Sequence, residues 1–157
     1  MSLNLFPSDW VIRSLGYWVT VNANRSRVVD KKVILTFEDL DVYKLARNFS
    51  NKVGQLIKRL PKDEFNLKGQ MRQAKLSVTN NIAEGFGRYH YQENMQFCRH
   101  SRGSICELID DFNECFDNGH IDKDETLQLK NDAYHLIKVL NGYIASIKRQ
   151  KFKNNSQ

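Results

Sequence analysis

From residue 36 onward, apolar residues recur at steps of three and four rather than at alternate positions. Such steps place side chains on one face of a helix, whereas a half-buried strand needs strict alternation. Thr36 is a helix-capping residue type, and Pro61 cannot continue a helix. The pattern predicts a first helix over about residues 36–60, with an inward stripe made of Val42, Leu45, Ala46, Phe49, Val53, Leu56, Ile57 and Leu60.

A second helix is predicted over about residues 67–84, and the run Gly85, Phe86 and Gly87 is expected to end it. Its apolar stripe consists of Leu67, Met71, Ala74, Val78 and Ile82. Between these positions lie small or compact polar residues, which permit close helix approach and buried hydrogen bonds at some cost in helix propensity. These residues are Gly69, Ser77, Asn80, Asn81 and Ala83.

A third helix is predicted over about residues 91–117, before Asn118 and Gly119. Its inward residues are expected to be Phe97, Ser101, Ser104, Ile105, Leu108, Phe112 and Cys115. Asp122, with Glu125 three residues later, is a variant of the capping box and predicts a fourth helix that runs to about residue 151. Its stripe is expected to contain Leu129, Tyr134, Ile137, Leu140, Ile144 and Ile147. Four helices joined by short loops predict an all-α, antiparallel up-down four-helix bundle.

Residues 1–35 do not fit this pattern, and we treat them as an N-terminal extension, with residues 36–151 as the bundle and 152–157 as a polar tail. The extension holds both tryptophans, Trp10 and Trp18, and a β-leaning stretch over residues 17–21. Three interpretations stay open: a short hairpin, a disordered arm, and a mis-assigned start. Because no methionine occurs between Met1 and Met71, a later start needs a different start codon, near Val33.

Composition is that of one globular domain, since 41% of the 157 residues are hydrophobic and 27% are charged. No apolar run reaches the roughly 18 residues of a membrane span, and the N-terminus lacks the pattern of a secretion signal. We therefore expect a cytoplasmic protein. The chain has an odd number of cysteines and no C-x-x-C pair, so we expect free thiols at Cys98, Cys106 and Cys115.

The formal net charge of +6 is unevenly distributed along the chain. Residues 44–102 hold twelve Lys or Arg against four acids, whereas residues 103–147 hold three against nine. Such a chain can present a basic surface while its acidic part pairs internally or with a neighbouring subunit. The alternative is that both groups are simply solvated faces.

Several short motifs in these helices resemble a known family. The resemblance rests on Phe37–Glu38–Asp39–Leu40, on Leu67, on Gln70–Met71–Arg72–Gln73–Ala74, on Ser77, on Asn80–Asn81–Ile82–Ala83–Glu84–Gly85, and on Ser104 with Glu107–Leu108. In this arrangement the chain resembles, over about residues 36–148, the four-helix-bundle proteins encoded by intervening sequences of 23S ribosomal RNA genes. The same family includes the accessory variability proteins of diversity-generating retroelements.

The resemblance implies a bundle that assembles as a homopentameric barrel, without catalytic activity and without a cofactor. For the retroelement members it implies a basic barrel that binds nucleic acid and a reverse transcriptase. The chain departs from the family at Gln73, often a second basic residue, and at Asn80, often a small residue or proline. We expect a non-enzymatic, oligomeric protein that binds RNA or DNA, as an accessory to a reverse transcriptase or to RNA handling. The alternative is a scaffold whose barrel recruits a protein partner.

Lys68, Arg72 and Lys75 are spaced at i, i+4 and i+7, and therefore share one face of the second helix. With further cations and an aromatic residue for base stacking, they form a candidate nucleic-acid strip. The added residues are Arg88, Tyr89, Arg99 and Arg102. A surface strip of this kind also fits a role in solubility alone. We assign a structural role in caps and helix contacts to Asn80, Asn81, Glu84 and Gly85.

Catalytic and metal chemistry find little support in the motifs. A di-iron bundle needs two Glu-x-x-His motifs and further carboxylates, and the chain offers only Asp132-x-x-His135. We therefore expect no catalytic residue and no metal site. The acidic positions of the third helix are either a subunit interface or a solvated face, and they comprise Glu107, Asp110, Asp111 and Glu114.

Overall fold

The computed structural model of the protein describes residue 34, residues 36–88 and residues 90–155, with side chains up to residue 152. Nearly all of the N-terminal extension, including both tryptophans, lies outside these ranges. The three interpretations of the extension therefore stay predictions. Everything said below about the bundle refers to the described residues.

The described chain is all-helical, as the periodicity predicts. A short 3-10 turn, Phe37–Asp39, precedes α1 (Asp41–Arg59), α2 (Phe65–Gly87), α3 (Tyr91–Asp117) and α4 (Lys123–Asn155). Each helix packs on its neighbours in the order α1, α2, α3, α4 and back to α1, and the Cα atoms of diagonal helices stay more than 8 Å apart. The four-helix bundle is thereby confirmed. No helix among the described residues is both long and apolar enough to cross a bilayer.

The helix starts follow the capping signals, with one difference. The backbone N–H of Thr36 donates to Asp39 Oδ2 at 2.9 Å, which closes the 3-10 turn rather than α1. Leu40 is extended, so α1 begins separately at Asp41. At α4 the expected cap is present, because the Glu125 N–H donates to Asp122 Oδ1 at 2.8 Å.

One bundle core contains nearly all the predicted inward positions, including the whole stripe of α2. Phe49 and Phe112 meet edge to face in it at 6.2 Å. The prediction for Tyr134 is wrong, because this side chain is 56% exposed. The buried stripe of α4 instead runs through Leu129, Ala133, Leu136 and Leu140, which places Tyr134 one position, about 100°, to the side. The sequence pattern predicted Tyr134 to be inward because it is the larger apolar residue, whereas the neighbouring Ala133 occupies the core position.

The contact between α2 and α3 is close because small residues line it. Ser101 Oγ reaches across to donate to the backbone oxygen of Val78 at 2.8 Å. Gly85 is buried in α2, which continues to Gly87, so Gly85 is not where the helix stops. A Cβ at Gly85 would lie 2.9 Å from Phe97 Cβ and 3.2 Å from the Asn94 backbone oxygen. Only glycine permits this approach.

Candidate nucleic-acid interface

A basic groove runs along the seam between α1 and α2, and we call it the α1–α2 groove. Its volume is about 580 Å³, and it is lined by Gly54, Ile57, Lys58, Lys68, Arg72, Lys75 and Leu76. Four of these residues are cations and none is an acid. Gly54 leaves room for the side chain of Lys75, whose Nζ lies 3.6 Å from where a Cβ at residue 54 would be. The groove therefore concentrates positive charge in a concave surface.

Lys68 has a structural task in this groove. Its Nζ donates to the backbone oxygens of Leu60 at 2.9 Å and Pro61 at 3.2 Å. These carbonyls belong to the end of α1, where backbone acceptors have no partner within the helix and the helix dipole is negative. Lys68 thus caps α1 from the neighbouring helix.

The other cations of the groove are differently placed. Lys58, Arg72 and Lys75 form no ion pair with any residue that the structure describes. Lys58 and Arg72 are exposed and Lys75 is half-buried, so all three can present charge to a ligand in the groove.

The remaining cations of the predicted strip lie elsewhere. Arg88 pairs with Glu84 at 2.5 Å and lies 5.2 Å from the centre of the Phe97 ring; its pKa is raised, chiefly by the hydrogen bond to Glu84. Arg102 donates to Asn141 Oδ1 on α4 at 2.9 Å. Arg99, on α3, lines a second groove between α2 and α3, on the opposite side of α2. The structure thus brings together Lys68, Arg72 and Lys75 but places Arg88, Arg99 and Arg102 elsewhere. Tyr89 lies outside the described residues.

Polar residues in the second half of α2 form hydrogen bonds within the helix and across to α3. Asn81 Nδ2 donates to the backbone oxygen and the Oγ of Ser77, at 2.8 and 2.9 Å. Ser104 Oγ of α3 meets Ser77 Oγ at 2.7 Å. Asn80 is exposed and takes no part. Ser77 therefore bonds across to α3, and Asn81 donates to Ser77 from within α2.

On the other side of α2, the α2–α3 groove has the opposite character. It measures about 730 Å³, and its acidic side chains are Glu107, Asp110 and Asp111. Asp111 Oδ2 is buried and receives no hydrogen bond from any described residue. Burial, and then the charges of Asp110 and Glu107, raise the pKa of Asp111 to about 6. At neutral pH this groove is negative and repels phosphate.

A comparison with protein families matches residues 38–142 to the 23S rRNA-intervening sequence protein family. The chain belongs to this family. The match covers both grooves and stops within α4, and it leaves residues 1–37 and 143–157 outside. No curated protein matches the chain significantly.

In this member of the 23S rRNA-intervening sequence protein family, acids of α4 neutralise the outer side of α1. Lys52 pairs with Asp132 at 2.6 Å, and Arg59 pairs with Glu125. Farther along, His120 Nε2 lies 2.8 Å from Glu64 Oε1. The acidic part of the chain therefore pairs internally at Lys52 and Arg59. Lys58, Arg72 and Lys75 in the α1–α2 groove form no ion pair with a described residue, and neither do Lys44 and Arg47, which lie on α1 outside the groove.

Sequence reasoning missed Lys58 and Gly54 as groove residues. The position of Lys58 in the last turn of α1 is already explained by its attraction to the negative end of the helix dipole, so the sequence provided no reason to assign it a second role. Its second role depends on α2 packing beside it, which helical spacing within α1 cannot indicate. A signal was nevertheless available, because Lys58 and Lys75 both fall beside inward stripes of consecutive helices in an up-down bundle.

The cysteines are free, and two of them are chemically quiet. Burial raises the pKa of Cys98 to about 12 and that of Cys115 to about 11, so both thiols are neutral at physiological pH. Cys106 is exposed. Among the described residues, no group of three or more His, Cys, Asp or Glu side chains is placed to hold a metal ion.

Proposed function

We propose that the protein is a non-enzymatic nucleic-acid-binding protein that holds the phosphate backbone of RNA or DNA in the α1–α2 groove. The observation that carries this proposal is a concave surface with four cations and no acid, of which Lys58, Arg72 and Lys75 form no ion pair with a described residue. Membership of a family named for ribosomal RNA intervening sequences is compatible with such a role.

The chemistry of the groove suits a strand backbone better than a small anion. Its cations come from two helices and follow the seam, so that successive phosphates can each meet a positive charge. Ile57 and the half-exposed Leu76 add apolar surface for sugars and base edges. The groove lining holds no amide or carboxylate side chain for base edges, and its cations are expected to contact phosphates, so the binding is expected to be independent of sequence.

Salt-dependent binding to labelled single-stranded RNA and duplex DNA tests this proposal. Each phosphate contact contributes a slope of about −0.7 for single strands and −0.9 for duplexes in log affinity against log salt concentration. Three contacts therefore give a slope of about −2 to −3. The variant R72E/K75E removes two of them and leaves the Lys68 cap intact, so its affinity should fall about tenfold or more and its slope should approach that of one contact.

The matched control is K123E/K138E, which changes the net charge by the same amount on exposed positions of α4. It should lose much less affinity than R72E/K75E. Equal losses in the two variants would mean that overall charge, and not the groove, attracts nucleic acid. Unchanged binding by R72E/K75E, or no binding by the wild type at low salt, would refute the assignment.

Assembly with a protein partner is the second candidate function, and a different surface favours it. Leu127 is 49% exposed and Tyr134 is 56% exposed, and their spacing of seven residues places both on one face of α4. Burial of such exposed apolar side chains in a contact between subunits would remove their apolar surface from water. We propose that copies of the chain associate through this face, consistent with the homopentamer that the resemblance implies.

Light scattering measures this association directly. L127Q/Y134Q should dissociate the assembly into monomers, while L76Q, an exposed leucine on α2, should leave its mass unchanged. A monomeric wild type, or an assembly that survives L127Q/Y134Q, would exclude this face. A reverse transcriptase partner stays a prediction of the resemblance, and co-purification with such an enzyme tests it.

A further inference from the structure

A cavity at one end of the bundle lies where the chain enters it. Its volume is about 230 Å³, and its walls come from the start of α1, the end of α2, the start of α3 and the second half of α4. Its apolar lining includes Ile34, Leu40, Val42, Phe86, Val139 and Ile147, and its polar lining includes Asp41, His90, Asn94 and Gln150. This cavity is separate from both charged grooves.

We propose that this cavity is the docking site for the Trp18 side chain of the same chain. Trp18 lies in the β-leaning stretch Tyr17–Trp18–Val19–Thr20–Val21, which holds four apolar or aromatic residues in five positions and is nearer to Ile34 than Trp10 is. Ile34 is itself part of the cavity wall, so residues 1–33 begin at its edge.

The tether has the right length. Residues 22–33 separate the β-leaning stretch from Ile34, and a linker of twelve residues can bridge about 20 Å. Adjacent helices of a bundle lie about 8–10 Å apart, so this reach covers the whole end of the bundle. A tethered ligand on so short a linker has an effective concentration in the millimolar range, which favours this occupant over a free one.

The cavity also has the right size and polarity. A cavity of about 150 Å³ can hold a benzene molecule, so 230 Å³ has room for an indole ring. Val28 and Val29, which are nearer to Ile34, are too small to fill it. A buried indole N–H needs an acceptor, and Ser146 Oγ lies on the wall with its own hydrogen directed to the Tyr143 backbone oxygen at 2.7 Å. Its lone pairs remain available to the indole.

Tryptophan fluorescence tests the proposal on the full chain, since Trp10 and Trp18 are its two tryptophans. In the W10F variant the whole signal comes from Trp18. The emission should be blue-shifted, and quenching by acrylamide should be several-fold weaker than for N-acetyltryptophanamide. Emission and quenching equal to those of the free compound would overturn the proposal.

Two lysine variants in the W10F background then locate the site. S146K places a charged chain in the cavity and removes no tertiary hydrogen bond, because the Ser146 hydroxyl bonds within its own helix. A145K adds the same side chain at the adjacent exposed position. S146K should shift the emission to the red and restore quenching, while A145K should not. Equal spectra for the two variants, with helicity unchanged by circular dichroism, would refute this docking site.

Two further results would also overturn it. Protection of Trp18 that increases with protein concentration would mean that the segment docks on a second copy. Protection of Trp10 in a W18F variant, together with an exposed Trp18 in W10F, would mean that the other tryptophan occupies the cavity.

Discussion

Where α2 crosses α3, the missing side chain of Gly85 lets the two backbones approach. Ser101 and Ser104 of α3 also permit this approach, because their side chains are small and their hydroxyls donate to α2 across the contact. The sequence motif that carried the family resemblance therefore has a packing explanation. Gly85 and the bonds from Ser101 and Ser104 keep α2 against α3, and this fixes the position of α2 between the two grooves.

Replacing Gly85 by alanine should destabilise the bundle. The new methyl group would lie 2.9 Å from Phe97 Cβ and 3.1 Å from Asn94 Oδ1, so one helix must shift, at a cost of about 1–3 kcal/mol in the free energy of unfolding. Gly142 is a matched control, since it is helical, exposed and has open space around it. G142A should stabilise by about 0.5–1 kcal/mol. Urea unfolding measures both, and a neutral G85A would contradict the packing explanation.

Asp111 should make stability depend on pH. Its pKa is raised from 3.8 to about 6, so between these values the folded state holds a proton that the unfolded state has lost. The contribution of this group to stability is therefore fully present below pH 3.8 and is lost as the pH rises through 6.

The variant D111N should remove this loss. It should be more stable than the wild type at pH 7 by roughly 1 kcal/mol, less than the full shift implies because the Asp111 side chain is only partly buried and water screens its charge. The advantage should shrink as the pH falls from 6 to 4. D117N, at an exposed position near the end of α3, should show no such trend. A D111N advantage that is independent of pH would contradict the account.

At the scale of elements, helical periodicity predicted all four helices, and the errors have local causes. The single helix from residue 36 is divided at Leu40, because the Thr36 cap closes a 3-10 turn. Tyr134 was assigned inward because hydrophobic spacing alone cannot separate adjacent stripes when the true core residue, Ala133, is small. Contacts between helices, such as the reach of Lys68 to the end of α1, cannot be read from periodicity at all.

The capping role of Lys68 can be separated from a ligand-binding role by stability. K68M leaves the backbone oxygens of Leu60 and Pro61 without their charged donor, so the free energy of unfolding should fall by about 1 kcal/mol. R72M, one turn along the same face, should change it by less than about 0.5 kcal/mol. Thermal or urea unfolding compares the two. Equal stability of K68M and R72M would mean that the cap contributes nothing.

At the scale of the whole molecule, the division of charge along the chain becomes a division between surfaces. Acids of α4 pair with α1, acids of α3 line one side of α2, and Lys58, Lys68, Arg72 and Lys75 meet on its other side. The sequence indicated the basic half of the chain and three of the four groove cations. It could not indicate that Arg99 and Arg102 face elsewhere, because that depends on how α3 is rotated against its neighbours, or that Arg88, just after α2, pairs with Glu84.

Lysine footprinting by mass spectrometry tests the placement of nucleic acid most directly. The protein is acetylated briefly with and without single-stranded RNA at low salt, and the modification of each lysine is compared. Lys58 and Lys75 should be shielded by RNA, while Lys123 and Lys138 on α4 should react equally in both samples. Shielding that is uniform over all four lysines, or absent from Lys58 and Lys75, would contradict the α1–α2 groove as the binding surface.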